Sequence, residues 1–412
     1  MTSKKSMARE CVVAVDIGTS KIVCLVGEID QTNELKIVGF GQHPSKGLKR
    51  GVVVNIEATV LSIQKAVEQA EKMADYPIRS VYTGIAGGHI RSFNSHGIVA
   101  IGSNEVSQAD LDRVIDAARA VAIPADQKIL HILPQEFIID QQDGIKEPIG
   151  MSGVRLEAKV HLVTGAVSSA QNIDKCIRQC GLFPLDIIIE QLASSYSVLN
   201  DDEKELGVCV VDIGGGTTDI AVFTNGAIRH TAVIPIAGDQ VTNDIAIAFR
   251  TPTRFAESVK INHGSAVMHR ASSERVIEIS GVADRPAKQI NEAALAQVIQ
   301  PRYEELFSLV RAELRKSGFD DLIPSGIVLT GGASKVKHLT ELAESTFGTQ
   351  VRIGAPTQVA GLPEIVENPC YATAIGLLMH GLQQDDHTPV TRTAKPGKSV
   401  LSKMKCWLQG NL

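Results

Sequence analysis

The stretch VVDIGGGTTDIAVF, residues 210–223, sets the reading of the whole chain. An apolar strand over 208–213 breaks into Gly214, Gly215 and Gly216 and returns as a second apolar strand over 220–223. Glycines permit a turn that tight and leave the backbone amides free to converge on an anion. Thr217 and Thr218 add hydroxyl donors, so the turn can cradle phosphate. Asp212 and Asp219 bracket it. Carboxylates beside a phosphate repel it unless a cation lies between, and Mg²⁺ with its retained waters suits that bridge. A hairpin whose glycines merely form a bulge is the competing reading.

The stretch VVAVDIGTSKIVCLVGEI, residues 12–29, repeats the pattern about one domain length earlier: Asp16-Ile17-Gly18 matches Asp212-Ile213-Gly214. Two like hairpins imply two like domains. If the domains face each other, Gly18, Thr19 and Ser20 oppose the triple glycine, Asp16 and Asp212 turn towards one Mg²⁺ through its waters, and Lys21 lies beside the phosphates.

At 412 residues the chain supports several domains or subdomains with real cores. With 44% hydrophobic residues it has the composition of a soluble globular protein, and a net charge of −5 argues against a whole-protein nucleic-acid binder. Seven scattered cysteines without CxxC spacing read as free thiols in a reducing compartment. The N-terminal apolar segment is interrupted at Asp16, which predicts no secretory leader, and no apolar run reaches the ~20 residues of a membrane span.

Between the two hairpins, apolar spacing predicts a helix over 55–74 capped by Asn55 and a strand over 81–86. Strands over 97–101, 129–139 and 154–163 around a helix over 110–122 predict an inserted α+β subdomain at 85–162. A strand over 161–167 and a helix over 169–180, closed by Gly181, resume the main domain. A further strand ends in Glu190-Gln191 at the start of a helix over 192–199. Strand carboxyl ends collect ligand sites in α/β folds, so these two residues are catalytic candidates to orient a water, a solvated strand end being the plain alternative.

Beyond the central motif, Asn225-Gly226 signals a type I′ hairpin. Helices are expected over 242–249 and over 253–261, where Glu257 and Lys260 share a face. Residues 264–320 read as a second subdomain, with a helix over 291–316 kinked by Pro301. Gly331-Gly332 follows a buried strand, and such glycines let backbone approach a purine or ribose closely. A helix over 369–379 closes the globular body, and 382–398 reads as a polar linker. In the tail, 399–412, Val400, Leu401, Met404, Trp407 and Leu408 fall on one helical face flanked by Lys403 and Lys405. That is the pattern of an interfacial helix on anionic lipid, and docking onto the protein's own core is its alternative.

With these residues assembled, the chain resembles the actin-like ATPase superfamily and, within it, the FtsA family of bacterial cell-division proteins. The resemblance rests on the two phosphate motifs, the segment around Glu190, Gly331-Gly332, the insertion after Thr83-Gly84, the Glu257 to Lys260 helix and the tail. It implies an α/β, duplicated actin-like fold whose halves, 1–84 with 163–199 and 200–263 with 321–381, flank a nucleotide cleft. It further implies ATP and Mg²⁺ as ligands and head-to-tail homopolymers on the cytoplasmic face of the inner membrane at the division site. The upper subdomain at 264–320, with Arg285 and Arg302 as basic candidates, would bind the C-terminal peptide of the tubulin-like protein FtsZ, and later division proteins would follow. Glu190 is followed by Gln191 where chaperones of the superfamily have proline, so the resemblance carries ATP binding rather than turnover. A cleft kinase and the pilus-assembly or rod-shape branches are the other readings.

Overall fold

The computed structural model describes residues 11–29, 34–282 and 286–385. Arg285 and the membrane-binding candidates of the tail, from Val400 to Leu408, lie outside them.

The first half begins with the meander β1 (Cys11–Ile17), β2 (Lys21–Ile29) and β3 (Leu35–Pro44), a two-stranded hairpin β4 (Leu48–Lys49) and β5 (Val52–Val53), helix α1 (Ile56–Ala74) and β6 (Ser80–Ile85). The insertion follows: β7 (Arg91–Ala100), α2 (Gln108–Arg119), β8 (Gln127–Ile139), β9 (Gln142–Ile145) and β10 (Arg155–Ala166). Then come α3 (Val167–Gln179), β11 (Phe183–Ile189), α4 (Glu190–Val198) and α5 (Asp201–Leu206). The second half holds the meander β12 (Val208–Ile213), β13 (Thr218–Thr224) and β14 (Ala227–Ile234), then α6 (Gly238–Phe249) and α7 (Thr253–His263). The hairpin β15 (Val276–Ile279) and β16 (Lys288–Asn291), α8 (Glu292–Ser317), β17 (Ile327–Thr330), α9 (Leu339–Phe347), β18 (Val351–Ile353), β19 (Val359–Ala360), α10 (Pro363–Val366) and α11 (Ala372–Asp385) complete it.

The duplication read from the two glycine motifs extends to whole sheets. One sheet runs β11-β6-β1-β2-β3, with β19 added at the β3 edge, and the other β18-β17-β12-β13-β14. In each, an antiparallel meander supplies three strands, and two further strands lie parallel on its first-strand side. Helices α4 and α11 lie between the sheets: Leu192, Ala193, Ile375 and Leu378 share one apolar cluster with Ala14 and Leu25 of the first sheet and Val210 and Val328 of the second. Burying each such large side chain contributes about 1.5–3 kcal/mol, so the two halves are joined by a core. The helices cross closely because Gly376 lacks a Cβ, which would stand 1.7 Å from Ala193 O.

Several expected boundaries move. Strand β10 is continuous, so the strand expected to begin anew at His161 is its far end, and a division at 162/163 falls inside it. Helix α2 starts at Gln108 because Ser107 and Asp110 form a capping box, and it ends at Arg119, ahead of Pro124. Helix α6 starts at Gly238 rather than 242, which brings its first turn against the triple glycine. The closing helix proper starts at Ala372, after a 3₁₀ turn over Pro369–Tyr371. It continues to Asp385 through the first residues of the expected linker, Leu382 packing on the inter-sheet core. Helix α8 runs through Pro301 and shares its core with the second sheet: Leu295, Ile299 and Phe307 pack in one cluster with Val211 and Leu329. The insertion keeps its own cluster, with Leu111 and Val114 of α2 against Leu156 and Val160 of β10.

Candidate functional site

Both glycine turns span four residues between equivalent pairs. Ile17 faces Ile22 across the first hairpin and Ile213 faces Thr218 across the second. Asp16 and Asp212, one step back on β1 and β12, therefore occupy matching positions at the carboxyl ends of their strands. The turns meet each other directly. A Cβ on Gly215 would stand 1.8 Å from Ser20 Oγ, and one on Gly216 would stand 2.6 Å from Thr19 Oγ1. Ser20 Oγ donates to Asp239 Oδ1 at 3.3 Å, while Asp239 N donates to Gly215 O at 2.8 Å, so the start of α6 ties the two turns together. Lys21 Nζ donates to Cys370 O and stands 4.8 Å from the centroid of the Tyr371 ring.

Four carboxylates converge behind the turns. Asp16, Asp212 and Asp219 are buried, and Glu190, the first residue of α4, lies against Gly84, where a Cβ would meet its Cγ at 3.0 Å. Burial, and after it the neighbouring carboxylates Asp16, Asp219 and Asp212, hold Glu190 well above the ordinary carboxylate range. Burial pushes Asp16 up to about 6 against the pull of Lys21, and burial with the charge of Asp212 pushes Asp219 up to about 7. Asp212 is raised by burial too, with hydroxyls of Thr373 and Ser194 drawing it back; Thr373 Oγ1 donates to Asp212 Oδ2 at 3.0 Å. Asp219 Oδ1 and both polar atoms of the Gln191 side chain are buried without a protein partner. Crowded acceptors of one sign with an orphaned oxygen are the chemistry of a site built for a cation. Among the described residues no group of three or more such side chains is placed to hold a metal ion directly.

Gly331 closes the other flank. Its φ of +83° is a glycine conformation, and a Cβ there would stand 2.3 Å from Asp212 Oδ1. Its amide donates to Pro369 O at 3.2 Å, which joins this turn to the one that receives Lys21. Gly332 opens the next 3₁₀ turn. Lys260 is buried; its Nζ donates to Gly238 O at 3.0 Å and Thr242 Oγ1 at 2.8 Å and pairs with Glu257 at 2.7 Å. The pair thus sits behind the α6 N-terminus, and Gly238 N donates to Gly214 O at 3.1 Å.

Three expected residues take other roles. Thr218 Oγ1 donates to Ile236 O at 2.7 Å, so this hydroxyl stitches β13 to the segment before α6, and Thr217 bonds Asp219. Arg302 forks onto Asp244 of α6 at 2.6 and 3.0 Å and also pairs with Glu305. Residues without a sequence signal enter as well. Thr373, Asp239 and the Arg50-Gly51 turn reach the site only through the tertiary fold, Gly51 N donating to Thr19 Oγ1 at 2.9 Å.

Curated relatives match this chain over nearly its whole length. The chain is 60% identical over 407 residues to "Cell division protein FtsA" of Pseudomonas aeruginosa, covering 97% of this chain and 98% of that one. The protein of the same description from Escherichia coli K12 is 45% identical, with 98% and 97% covered. The chain belongs to the FtsA family of cell division proteins. The FtsA family model "Cell division protein FtsA" matches residues 209–376, and "SHS2 domain inserted in FTSA" matches 87–164, which is the insertion between β6 and α3. Solved structures agree on the actin-like fold. The "PilM-PilN type IV pilus biogenesis complex" superposes with a TM-score of 0.67 at 19% identity, over 91% of this chain and 99% of that one. MreB 5 of Spiroplasma citri bound to AMPPNP gives 0.56 at 15%, over 92% and 97%.

Proposed function

We propose that the cleft between the two glycine turns of this FtsA-family chain binds ATP with Mg²⁺, and that the bound nucleotide sets the shape of a membrane-attached division scaffold. The observation that carries the reading is the convergence of buried Asp16, Asp212 and Asp219 with Glu190 behind two facing glycine turns, where the buried Asp219 Oδ1 has no protein partner. Asp16 and Asp212 would hold Mg²⁺ through its waters, and the ion would bridge them to the phosphates. The Gly214 amide is taken by Thr217 O at 3.0 Å, so the amides of Gly18, Gly215 and Gly216, with Lys21, would receive the phosphates, and Gly331, Gly332, Glu257 and Lys260 the nucleoside. Glu190 and Gln191 would orient a water.

Tethering follows from the tail. Residues 399–412 would lie in the inner leaflet as an amphipathic helix, with polymerisation raising the residence of each weak anchor by multivalency. Subdomain 264–320 would receive the acidic C-terminal peptide of FtsZ and so hold its filaments at the membrane. Arg302 serves there by fixing α8 on α6, a role its fork to Asp244 supports.

Calorimetry tests the central reading. Asp212→Ala should lower Mg²⁺-ATP affinity about a hundredfold, the scale of losing charged, hydrogen-bonded contacts. Affinity equal to the parent's would refute the bridging role. Deleting 399–412 should abolish liposome co-sedimentation and leave ATP binding intact.

A further inference from the structure

The hairpin β4–β5 is closed by two residues, Arg50 and Gly51, both left-handed at φ +49° and +76°. Two positive φ values in a two-residue loop are the pattern of a type I′ turn, for which asparagine, aspartate or glycine is the comfortable first residue. Arginine gains nothing from this conformation and carries its strain, of order 1 kcal/mol. The Arg50 side chain is exposed.

The turn is held from three sides. Gly51 N donates to Thr19 Oγ1, the space of a Cβ on Gly51 is filled by the Ala86 and Gly87 backbone at 2.9 Å, and that of a Cβ on Gly216 is filled by Arg50 Cα at 2.8 Å. The backbone of Arg50 is therefore pressed against the last glycine of the second turn, where that turn meets the first. Among the described residues none makes a hydrogen bond or ion pair with its guanidinium. Gly331, on the nucleoside side, touches the same glycine turn at Asp212 and Ile213. On the nucleotide reading, phosphates laid from Gly331 towards Gly216 would reach Arg50 last.

We propose that Arg50 is a ligand-binding residue of the cleft that contacts the terminal phosphate of a nucleoside triphosphate and so separates ATP from ADP. The inference rests on the nucleotide reading above. A guanidinium suits the role because its planar fork pairs with two phosphate oxygens at once. Lys49, the preceding exposed cation on β4, is an internal control for diffuse electrostatics.

The test is calorimetry on the full chain with Mg²⁺ and either ATP or ADP, for the parent, Arg50→Asn and Lys49→Ala. Arg50→Asn relieves the backbone strain, so it should melt no lower than the parent and report on contact rather than folding. Its ATP affinity should fall about ten- to hundredfold, with ADP affinity kept within about threefold and Lys49→Ala close to the parent for both. Equal losses for ATP and ADP, no loss, or the same loss from Lys49→Ala would overturn the assignment. A parent chain that binds neither nucleotide would refute the cleft reading itself, and the role of Arg50 with it.

Discussion

The two glycine turns share a loop length and a register yet differ in what fills them, and the difference explains how the halves fit. The first carries side chains at its tip: Thr19, Ser20 and Lys21 all reach out, to Gly51, Asp239 and Cys370. The second is bare, and Gly215 and Gly216 leave the space that Ser20 and Thr19 occupy. The strands behind them differ as well. Asp16 is paired with Val23, while Asp212 is paired with Asp219, so the charge is doubled on the bare side. A duplicated hairpin has thus become a projecting member and a receiving member, with the excess acidity placed on the receiver.

The sharpest break of that asymmetry is Gly215→Ala. Its new Cβ falls on Ser20 Oγ and should destabilise the closed arrangement by about 1–3 kcal/mol, seen as a lower melting temperature. Adding Ser20→Gly should restore most of it, and a double variant no better than the single would place the obstruction elsewhere.

Removing the doubled charge comes next. Asp16 and Asp219 titrate near 6 and 7 when folded, against an ordinary 3.8, so the folded chain keeps protons that the unfolded chain releases. That contribution to stability is complete below the unfolded value and is lost as pH rises through about 6 to 7. Without ligand, melting temperature should therefore fall between pH 5 and pH 8. Asp219→Asn should flatten the fall and gain most at the upper end, and Mg²⁺-ATP should stabilise the parent most at pH 8. An unchanged pH profile in Asp219→Asn would remove the like-charge account.

Ser20→Ala should have the smallest effect, below about 1 kcal/mol, because it deletes one exposed bond of 3.3 Å. Double-variant cycles with Asp239→Ala measure that coupling, and a value well above it would make this tie a principal joint between the halves.

The elements legible in the sequence were those with local causes. Asn55 caps α1 by accepting from Ala58 N, Asn225-Gly226 turns β13 into β14 with both residues at positive φ, and Gly331 has the conformation a glycine turn implies. Asp16, Asp212 and Lys21 were legible because they recur at fixed offsets from glycine turns. Thr373, Asp239 and Arg50 were not, because each lies in an unremarkable stretch and gains its place from contacts with residues remote in the chain. Thr218 shows the reverse error: a hydroxyl expected to face a phosphate, turned instead to Ile236 O.

By itself, the sequence determined that two strand-turn-strand units with a carboxylate before the turn exist in this chain, since glycine conformational freedom and apolar alternation are properties of neighbours. It also determined the insertion, a self-contained run of strands and helix with its own core. Only the tertiary structure decided that α4 and α11 would join the halves, that one turn would project into the other, and that four acidic groups would share one buried space. Those outcomes depend on which surfaces pack and on the field each charge meets after burial, neither of which is a property of neighbours along the chain.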